Sequence, residues 1–256
     1  MRLLSALLLL MSWAVPVYAQ DNSDIVLPPN PSARPNVDTT SPPAEPTEPT
    51  DASAVVLPPN PTARPEQEAT ATATPPVRDQ ACLGSLRAAG AVFEVRGRHE
   101  GAGQCGIDDA VELSSINGVA LQPGALLACP TALAFSNFWS GTMAREARTA
   151  FGSNPERIFV AASYACRGRN NVTGARISEH GFGRAIDIRA LALEDGQTWS
   201  VQPHAQDSEE PAAQFQRAIR QAACGPFNTI LGPGSDGHHQ DHIHFDNARR
   251  SSTYCR

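Results

Sequence analysis

Histidine is concentrated in two short runs of this chain. Four of the seven histidines fall within residues 238–244, and a fifth, His180, opens the run HGFGRAID, which ends at Asp187. Neutral imidazole and carboxylate groups are the ligands expected of a catalytic zinc ion, which takes three of them from the protein and leaves its fourth position to water. The two runs therefore indicate a metal site, and a His/Asp/His donor set suits zinc best.

The elements around the first run explain how it could reach a metal ion. The sequence predicts a loop followed by a strand over residues 184–190. His180 would lie at the end of the loop, where Gly181 and Gly183 let the backbone fold closely around the ion. The strand would then deliver Asp187 to the same place.

The second run leads into a predicted strand over residues 242–246. Side chains alternate along a strand, so His242 and His244 would point to the same face. His238 and His239 precede this strand, where either a role at the site or a place on the surface of a loop fits the sequence.

Longer motifs in the same regions resemble those of known families. The pattern Ser178-x-His180-x-x-Gly183-x-Ala185-x-Asp187, followed by a late His-x-His, is similar to the SxHxxGxAxD and HxH motifs of the LAS-type metallopeptidases, which include D-Ala-D-Ala peptidases and murein endopeptidases. The chain resembles the bacterial extensin-like C-terminal domain family more closely, over residues 80–256 and with the cysteine positions included. Four segments carry that closer resemblance: SYACR at 163–167, SEHGFGRAIDI at 178–188, LGPGSD at 231–236 and HIHFD at 242–246.

This resemblance implies a fold, a cofactor and three ligands. The fold implied is α+β of the LAS metallopeptidase type, with helices flanking a small antiparallel sheet. His180, Asp187 and His244 would hold one zinc ion. The activity implied is hydrolysis of amide bonds in the stem peptides or cross-links of peptidoglycan, with a metal-activated water as the nucleophile.

Residues just before the last ligand are candidates for the general base. The family pattern has a base a few residues before that ligand, and Asp241 lies three residues before His244. Asp241 could serve only if it precedes the last strand, because within the strand it would face away from His244. His242 lies on the correct face and is the second candidate. His239 is a third candidate, or a supporting residue.

Three further residues are assigned other roles. Arg167 lies in a Ser-Tyr-x-x-Arg context that resembles the substrate segment of related enzymes, where its guanidinium would bind a carboxylate or polarise the scissile carbonyl. A structural role beside Cys166 is the alternative for this arginine. We expect Ser178 to support the ligand loop by hydrogen bonding, and Asp246 to orient a ligand imidazole.

The N-terminal part of the chain is predicted to be an export signal followed by a spacer. Residues 1–19 have an arginine near the start, an apolar run and a small-residue end, which is typical of a secretory signal, so we expect the protein in the periplasm. Residues 20–79 hold 14 of the 22 prolines and no aromatic residue, which predicts a disordered tether. Two VLPPNPxARP repeats, at 26–35 and 56–65, are either duplicated spacer or docking motifs for a protein partner.

Residues 80–256 are predicted to form one α+β domain. The pattern predicts helices over 130–150 and 208–223, and strands over 157–164 and 198–202 besides those of the two histidine runs. No stretch after the signal is apolar for long enough to span a membrane. The formal net charge of −6 argues against a nucleic-acid partner, whose phosphates call for a basic surface.

All six cysteines lie in that domain. An even number of cysteines in an exported chain is typical of a disulfide framework, and no CxxC spacing suggests a cysteine-ligated metal. We expect sequential pairing: Cys82–Cys105, Cys129–Cys166 and Cys224–Cys255.

Two classes of function fit these observations. The first is a periplasmic zinc peptidase that takes peptidoglycan peptides as its substrate. The second is a non-catalytic module that keeps zinc as a structural staple and holds cell-wall peptides or a protein partner. The candidate base and Arg167 favour the enzyme, because a structural zinc site is closed by four protein ligands and requires neither group.

Overall fold

The computed structural model describes residues 77–256. The signal peptide expected at 1–19 lies outside these residues, as do the two Pro-rich repeats and nearly all of the tether expected at 20–79. The first helix begins at Val77, so the end of the range assigned to the tether is helical.

Four α-helices and nine strands make up the described residues. A π-helical turn at Trp139–Met143 joins the second and third helices, and short 3-10 turns lie at Arg169–Asn171 and Glu179–Phe182. The bounds of the helices and strands are α1 Val77–Ala88, β1 Ala91–Glu100, β2 Gly106–Ile116, β3 Val119–Ala128, α2 Cys129–Phe138, α3 Ala144–Phe151, β4 Pro155–Ala162, β5 Ala185–Leu193, β6 Thr198–Ser200, α4 Pro211–Ala223, β7 Thr229–Leu231, β8 Ile243–Asp246 and β9 Tyr254–Cys255.

Within residues 77–256 the strands form one nine-stranded sheet. Its order is β1-β2-β3-β4-β5-β8-β7-β9, and β6 pairs with β5 outside this path. Neighbours are antiparallel except for β3 with β4 and β7 with β9, which are parallel. The mixed α and β composition agrees with the α+β prediction, but the expectation of a small antiparallel sheet is wrong, because the sheet is large and contains both kinds of pairing.

The extra size comes largely from β1, β2 and β3, which the sequence pattern did not reveal. The third of these strands contains Pro123 and Gly124, two residue types that ordinarily mark the end of a strand. They fall between the part of β3 that pairs with β4 and the part that pairs with β2 from Ala125 onward. Tertiary pairing therefore overrides a local breaker signal.

The helix predicted over 130–150 is confirmed as a run of α2, the π-helical turn and α3. Pro130 lies in its first turn, where a missing N–H costs no hydrogen bond. The run ends at Gly152, which adopts the left-handed conformation with φ of 68°. Helix α4 confirms the second predicted helix. None of the helices in the described part combines the length and apolar character needed to cross a membrane.

Strand β8 has one apolar face in the core and one polar face. Ile243 and Phe245 are fully buried in the main apolar cluster, and the Phe245 ring lies 5.8 Å from Phe138 and 5.3 Å from Phe227 between centroids. Because side chains alternate along a strand, His244 and Asp246 point to the opposite face of the sheet. The packing of the apolar face thus fixes where these two polar side chains lie.

Three disulfides brace the domain, and no cysteine is free. Cys224 pairs with Cys255 as expected. The other two expected pairs are wrong, since the observed bonds are Cys82–Cys129 and Cys105–Cys166. Sequential pairing fails because the loop before β2 lies against the segment that follows β4, which brings Cys105 next to a cysteine 61 residues later.

Candidate metal centre

Asp187 and His244 meet as a cross-strand pair. Strand β5 lies between β4 and β8, and the register places Asp187 opposite His244 on one side and opposite Ala162 on the other. The imidazole Nδ1 of His244 lies 2.8 Å from Asp187 Oδ1. The pair follows directly from the pairing of the two strands that the histidine runs predicted.

His180 completes a group of three donor residues. It lies in the 3-10 turn before β5, and its Nε2 is 3.1 Å from Asp187 Oδ2 and 3.2 Å from His244 Nδ1. All three side chains are buried, and each offers one atom within 4.8 Å of the other two. These three residues could hold a metal ion, and they are the three that the resemblance assigned as ligands.

The turn that carries His180 needs glycine at its end. Gly183 has φ of 62°, and a Cβ there would lie 2.4 Å from Ile107 Cδ1 and 2.7 Å from the backbone nitrogen of Ala128. Its carbonyl also accepts a hydrogen bond from Ala128 N–H at 2.9 Å. The turn is therefore pressed against the start of β2 and the end of β3, as close backbone approach requires.

The ring of His180 is held by a backbone carbonyl. Its Nδ1 lies 2.5 Å from the carbonyl oxygen of Ser163, which only accepts, so Nδ1 carries the proton and donates. The Ser163 hydroxyl in turn accepts from the Leu126 N–H at 3.1 Å. Nε2 is consequently the nitrogen left to face the cluster, as in metal-binding histidines whose other nitrogen is tied to the protein.

Asp246 binds the opposite side of the His244 ring. Its Oδ2 lies 3.0 Å from His244 Nε2, and its Oδ1 accepts from the Ala248 N–H at 2.9 Å. Asp246 therefore lies where it could orient the His244 ring. No sequence signal other than the spacing of two residues would have suggested it.

The buried imidazole and carboxylate groups of the cluster shift one another's pKa. Burial alone would lower the pKa of His244, but Asp187 and Asp246 raise it to about 9. Burial would raise the pKa of Asp187, but His180 and His244 hold it well below its ordinary value. A proton on His244 Nδ1 lies between the imidazole and the Asp187 carboxylate, and metal binding at that nitrogen would release it.

His242 and Asp241 form a hydrogen-bonded pair beside this cluster. Strand β8 begins at Ile243, so both residues precede it, which meets the condition set for Asp241. The Asp241 carboxylate, however, accepts from His242 Nδ1 at 2.9 Å. The other nitrogen of His242, Nε2, lies 3.6 Å from Asp187 Oδ2, so the imidazole stands between Asp241 and the three donors.

A second carboxylate–imidazole pair lies close by. Asp236 Oδ1 accepts from the ring of His239 at 2.7 Å and from the backbone N–H of His238 at 2.8 Å. The buried ring of His239 lies 5.1 Å from that of His242 and 5.6 Å from that of His244. Burial, only partly opposed by Asp236, lowers the pKa of His239.

His239 is thus brought to the site, while His238 is exposed beside it. Sequence reasoning did not give Asp236 a role. The signal available was its place at the end of the LGPGSD motif, three residues before His239.

Arg167 and Ser178 lie on facing backbone segments next to the His180 turn. The Ser178 N–H donates to the Arg167 carbonyl at 3.0 Å. Ser178 is buried, and its carbonyl accepts from Gly181 N–H at 2.9 Å, so the support that it gives the turn comes from its backbone. The Arg167 side chain is half-buried.

Glu179 was not singled out from the sequence, yet it anchors the same turn. Its carboxylate is 4% exposed, accepts from Arg176 Nη2 at 3.0 Å and lies 3.5 Å from Arg184 Nη1. The Arg184 guanidinium also lies 4.8 Å from the centre of the Phe182 ring. The available signal was the position of Glu179 next to His180, with one arginine three residues before it and another five residues after it.

Comparison with known proteins places the chain in a family. No curated protein and no solved structure matches it. A family model described as Extensin-like protein C-terminus matches residues 80–256, which include the three donor residues and all six cysteines. The closer of the two resemblances is thereby confirmed. Since the match covers well over half of the 256 residues, the chain belongs to the Extensin-like protein C-terminus family.

Proposed function

We propose that residues 80–256 form a zinc-dependent peptidase that hydrolyses amide bonds in peptidoglycan stem peptides or cross-links. One observation carries this proposal. A buried His/Asp/His cluster and the His242–Asp241 pair meet beside strands β5 and β8, with 3.6 Å between His242 Nε2 and Asp187 Oδ2. The cluster suits a metal ion, and the pair suits the transfer of a proton.

The donor set fits zinc in chemistry and in size. Tetrahedral coordination with bonds of about 2.0–2.2 Å separates neighbouring donor atoms by about 3.3–3.6 Å. In this structure the two imidazoles contact different oxygens of Asp187, His244 Nδ1 at 2.8 Å from Oδ1 and His180 Nε2 at 3.1 Å from Oδ2, and the two ring nitrogens lie 3.2 Å apart. One atom from each residue lies within 4.8 Å of the other two, which is close to the spacing that the ion requires. Bound there, zinc would act as a Lewis acid and lower the pKa of a coordinated water to about 7.

His242 is the residue that we assign as general base. An ionised carboxylate only accepts hydrogen bonds, so the contact with Asp241 places the proton of the neutral ring on Nδ1. Nε2 then has a free electron pair on the side of the cluster. It can take a proton from the attacking water and return it to the leaving amine. Asp241 stabilises the imidazolium and holds the ring in place, rather than acting as the base itself.

Arg167 is proposed to bind the substrate. Its guanidinium makes no hydrogen bond or ion pair with the residues described in the structure, whereas Arg176 and Arg184 are both engaged by Glu179. A planar group with several free donors can grip a carboxylate or a developing oxyanion with two hydrogen bonds.

The substrate class rests on the motif resemblance to LAS-type metallopeptidases, together with the predicted export signal. Peptidoglycan stems and cross-links are amides that an exported bacterial hydrolase meets in the periplasm. The proposal therefore places the protein there, with one zinc ion as cofactor and wall peptides as substrate.

A zinc-stapled binding module is the competing function. A structural site is normally closed by four protein ligands, and within residues 77–256 the donor group contains three. The cysteines, which would be the usual additional ligands, are all in disulfides. These two observations favour the open, catalytic kind of site.

The test is digestion of purified sacculi by the zinc-loaded protein, with mass analysis of the muropeptides released. We expect new fragments from wild type and none from His180→Ala. His238→Ala is the matched control. This histidine is exposed beside the cluster, so the variant should cut sacculi as wild type does. If wild type binds zinc but releases no fragment, the peptidase proposal is wrong and the binding module is favoured. The fragment masses identify the bond that is cut.

A further inference from the structure

One of the three disulfides packs directly against the turn that carries His180. A Cβ built on Gly181, the residue after His180, would lie 3.0 Å from Cys105 Sγ. Cys105 is buried, and it follows a tight turn closed by its own N–H and the Ala102 carbonyl at 3.1 Å. The sulfur of this bond therefore forms part of the wall behind the ligand turn.

The other end of the same disulfide secures the backbone that binds His180. Cys166 lies three residues after Ser163, whose carbonyl accepts from His180 Nδ1. Between them, the Ala165 N–H donates to the His180 carbonyl at 3.3 Å. This segment thus holds both the ring and the backbone of one proposed ligand.

The disulfide is the covalent link between that segment and the loop before β2. Residues 163–167 follow β4 and have no regular secondary structure. Most of its hydrogen bonds go to the turn that it supports, at His180 and Ser178, so segment and turn could shift together if the covalent bond were lost. The covalent bond to Cys105 links this backbone to the loop before β2, and the His180 turn lies against both of them.

We propose that the Cys105–Cys166 disulfide is a positioning element of the metal site, so that breaking it weakens metal binding beyond its effect on the fold. This inference rests on the proposed function, because it concerns the affinity of the same three donors for zinc. Partners of metal ligands typically change affinity by about 10–100-fold when they are lost. The disulfide acts indirectly, through the Ser163 backbone that binds His180. We therefore expect its loss to change zinc affinity by an amount at the lower end of that range.

The test compares two double variants of the protein. Cys105→Ser with Cys166→Ser removes the disulfide in question. Cys224→Ser with Cys255→Ser is the matched control, because that bond also has an exposed cysteine but joins the end of α4 to β9. Zinc affinity is measured by competition with a chromophoric chelator, at a temperature where circular dichroism shows both variants fully folded.

We expect the first variant to bind zinc about tenfold more weakly than wild type, and the control to bind as wild type does. Thermal unfolding midpoints without zinc should fall in both variants. Equal zinc affinity in the first variant and wild type overturns the inference and leaves the proposed function standing. Absence of zinc binding by wild type overturns both.

A second measurement applies if the first variant does not fold. In the control background, a water-soluble phosphine reduces the Cys105–Cys166 bond to two thiols and becomes the phosphine oxide, with its oxygen taken from water. Peptide mass mapping of the two free thiols checks that they belong to Cys105 and Cys166 and that the Cys82–Cys129 bond is intact. The phosphine is then removed and the new thiols are blocked with methyl methanethiosulfonate, so that no thiolate can bind zinc. Weaker zinc binding by this protein supports the inference. Unchanged or tighter binding overturns it.

Discussion

Replacing Gly183 by alanine should damage the candidate metal centre through packing. This glycine ends the turn that carries His180, with φ of 62°. Its added methyl carbon would lie 2.4 Å from Ile107 Cδ1 and 2.7 Å from the backbone nitrogen of Ala128. The isoleucine side chain can move aside in part, but the backbone nitrogen belongs to a strand of the sheet and cannot.

The size of the effect has two parts that a control can separate. A non-glycine residue in the left-handed region costs about 1–2 kcal/mol of folding free energy, and an extra methyl in a packed site costs about 1–3 kcal/mol more. Gly152 has φ of 68°, and an added methyl carbon there would meet no atom within 4 Å, so it carries only the first cost. We therefore expect losses of about 2–5 kcal/mol for Gly183→Ala and about 1–2 kcal/mol for Gly152→Ala.

Urea unfolding of the zinc-free variants measures these losses, and chelator competition measures zinc affinity. Gly183→Ala should also weaken zinc binding, because the methyl group pushes the His180 turn away from β2. Adding Ile107→Ala should recover only part of the lost affinity, since the contact with Ala128 remains. Equal destabilisation by Gly183→Ala and Gly152→Ala would refute the packing argument.

Two other substitutions test the assigned roles, and a third tests a half-buried arginine outside the site. Asp246→Asn should raise the zinc dissociation constant by about tenfold or more, because the charge behind His244 Nε2 is lost; chelator competition would show it, and an unchanged constant would contradict it. Asp241→Asn should lower kcat on sacculi by about 10²-fold with zinc content unchanged, because an amide no longer stabilises protonated His242; equal kcat would remove Asp241 from the mechanism. Arg220, in α4, donates a hydrogen bond from Nη1 to the Pro233 carbonyl at 2.9 Å, and burial of its guanidinium lowers its pKa. Because the cost of that burial offsets the hydrogen bond, Arg220→Met should change the free energy of unfolding by no more than about 1 kcal/mol; urea titration would expose a larger loss.

The parts of the centre that could be predicted from sequence are those set by local chain geometry. His180 and Asp187 are separated by a turn and the start of β5, and His242 and His244 alternate around the start of β8. Spacing of this kind fixes which face a side chain occupies before any long-range contact is known. It therefore indicates candidate donors, although it does not say which strands lie side by side.

Features that depend on contacts between distant parts of the chain could not be predicted from residue spacing. The Ser163 carbonyl that binds His180 is a backbone atom and leaves no trace in residue type. The disulfide partner of Cys105 depends on how the loop before β2 lies against the segment after β4. Strand β3 contains Pro123 and Gly124 and is held by neighbours on both sides. In each case the determining interaction joins residues far apart in the sequence.

The choice between Asp241 and His242 shows how these two kinds of information combine. Spacing set a condition for Asp241, that it precede the last strand, and β8 does begin after it. Because Asp241 lies before the strand, its carboxylate does not have to face away from His244. Its hydrogen bond nevertheless goes to His242 and not to the three donor residues. The imidazole, which is larger, then extends toward Asp187 with its second nitrogen. In the proposed mechanism this carboxylate orients the histidine, so the two leading candidates for the base have different roles, with His242 as the base and Asp241 as the partner that holds its ring.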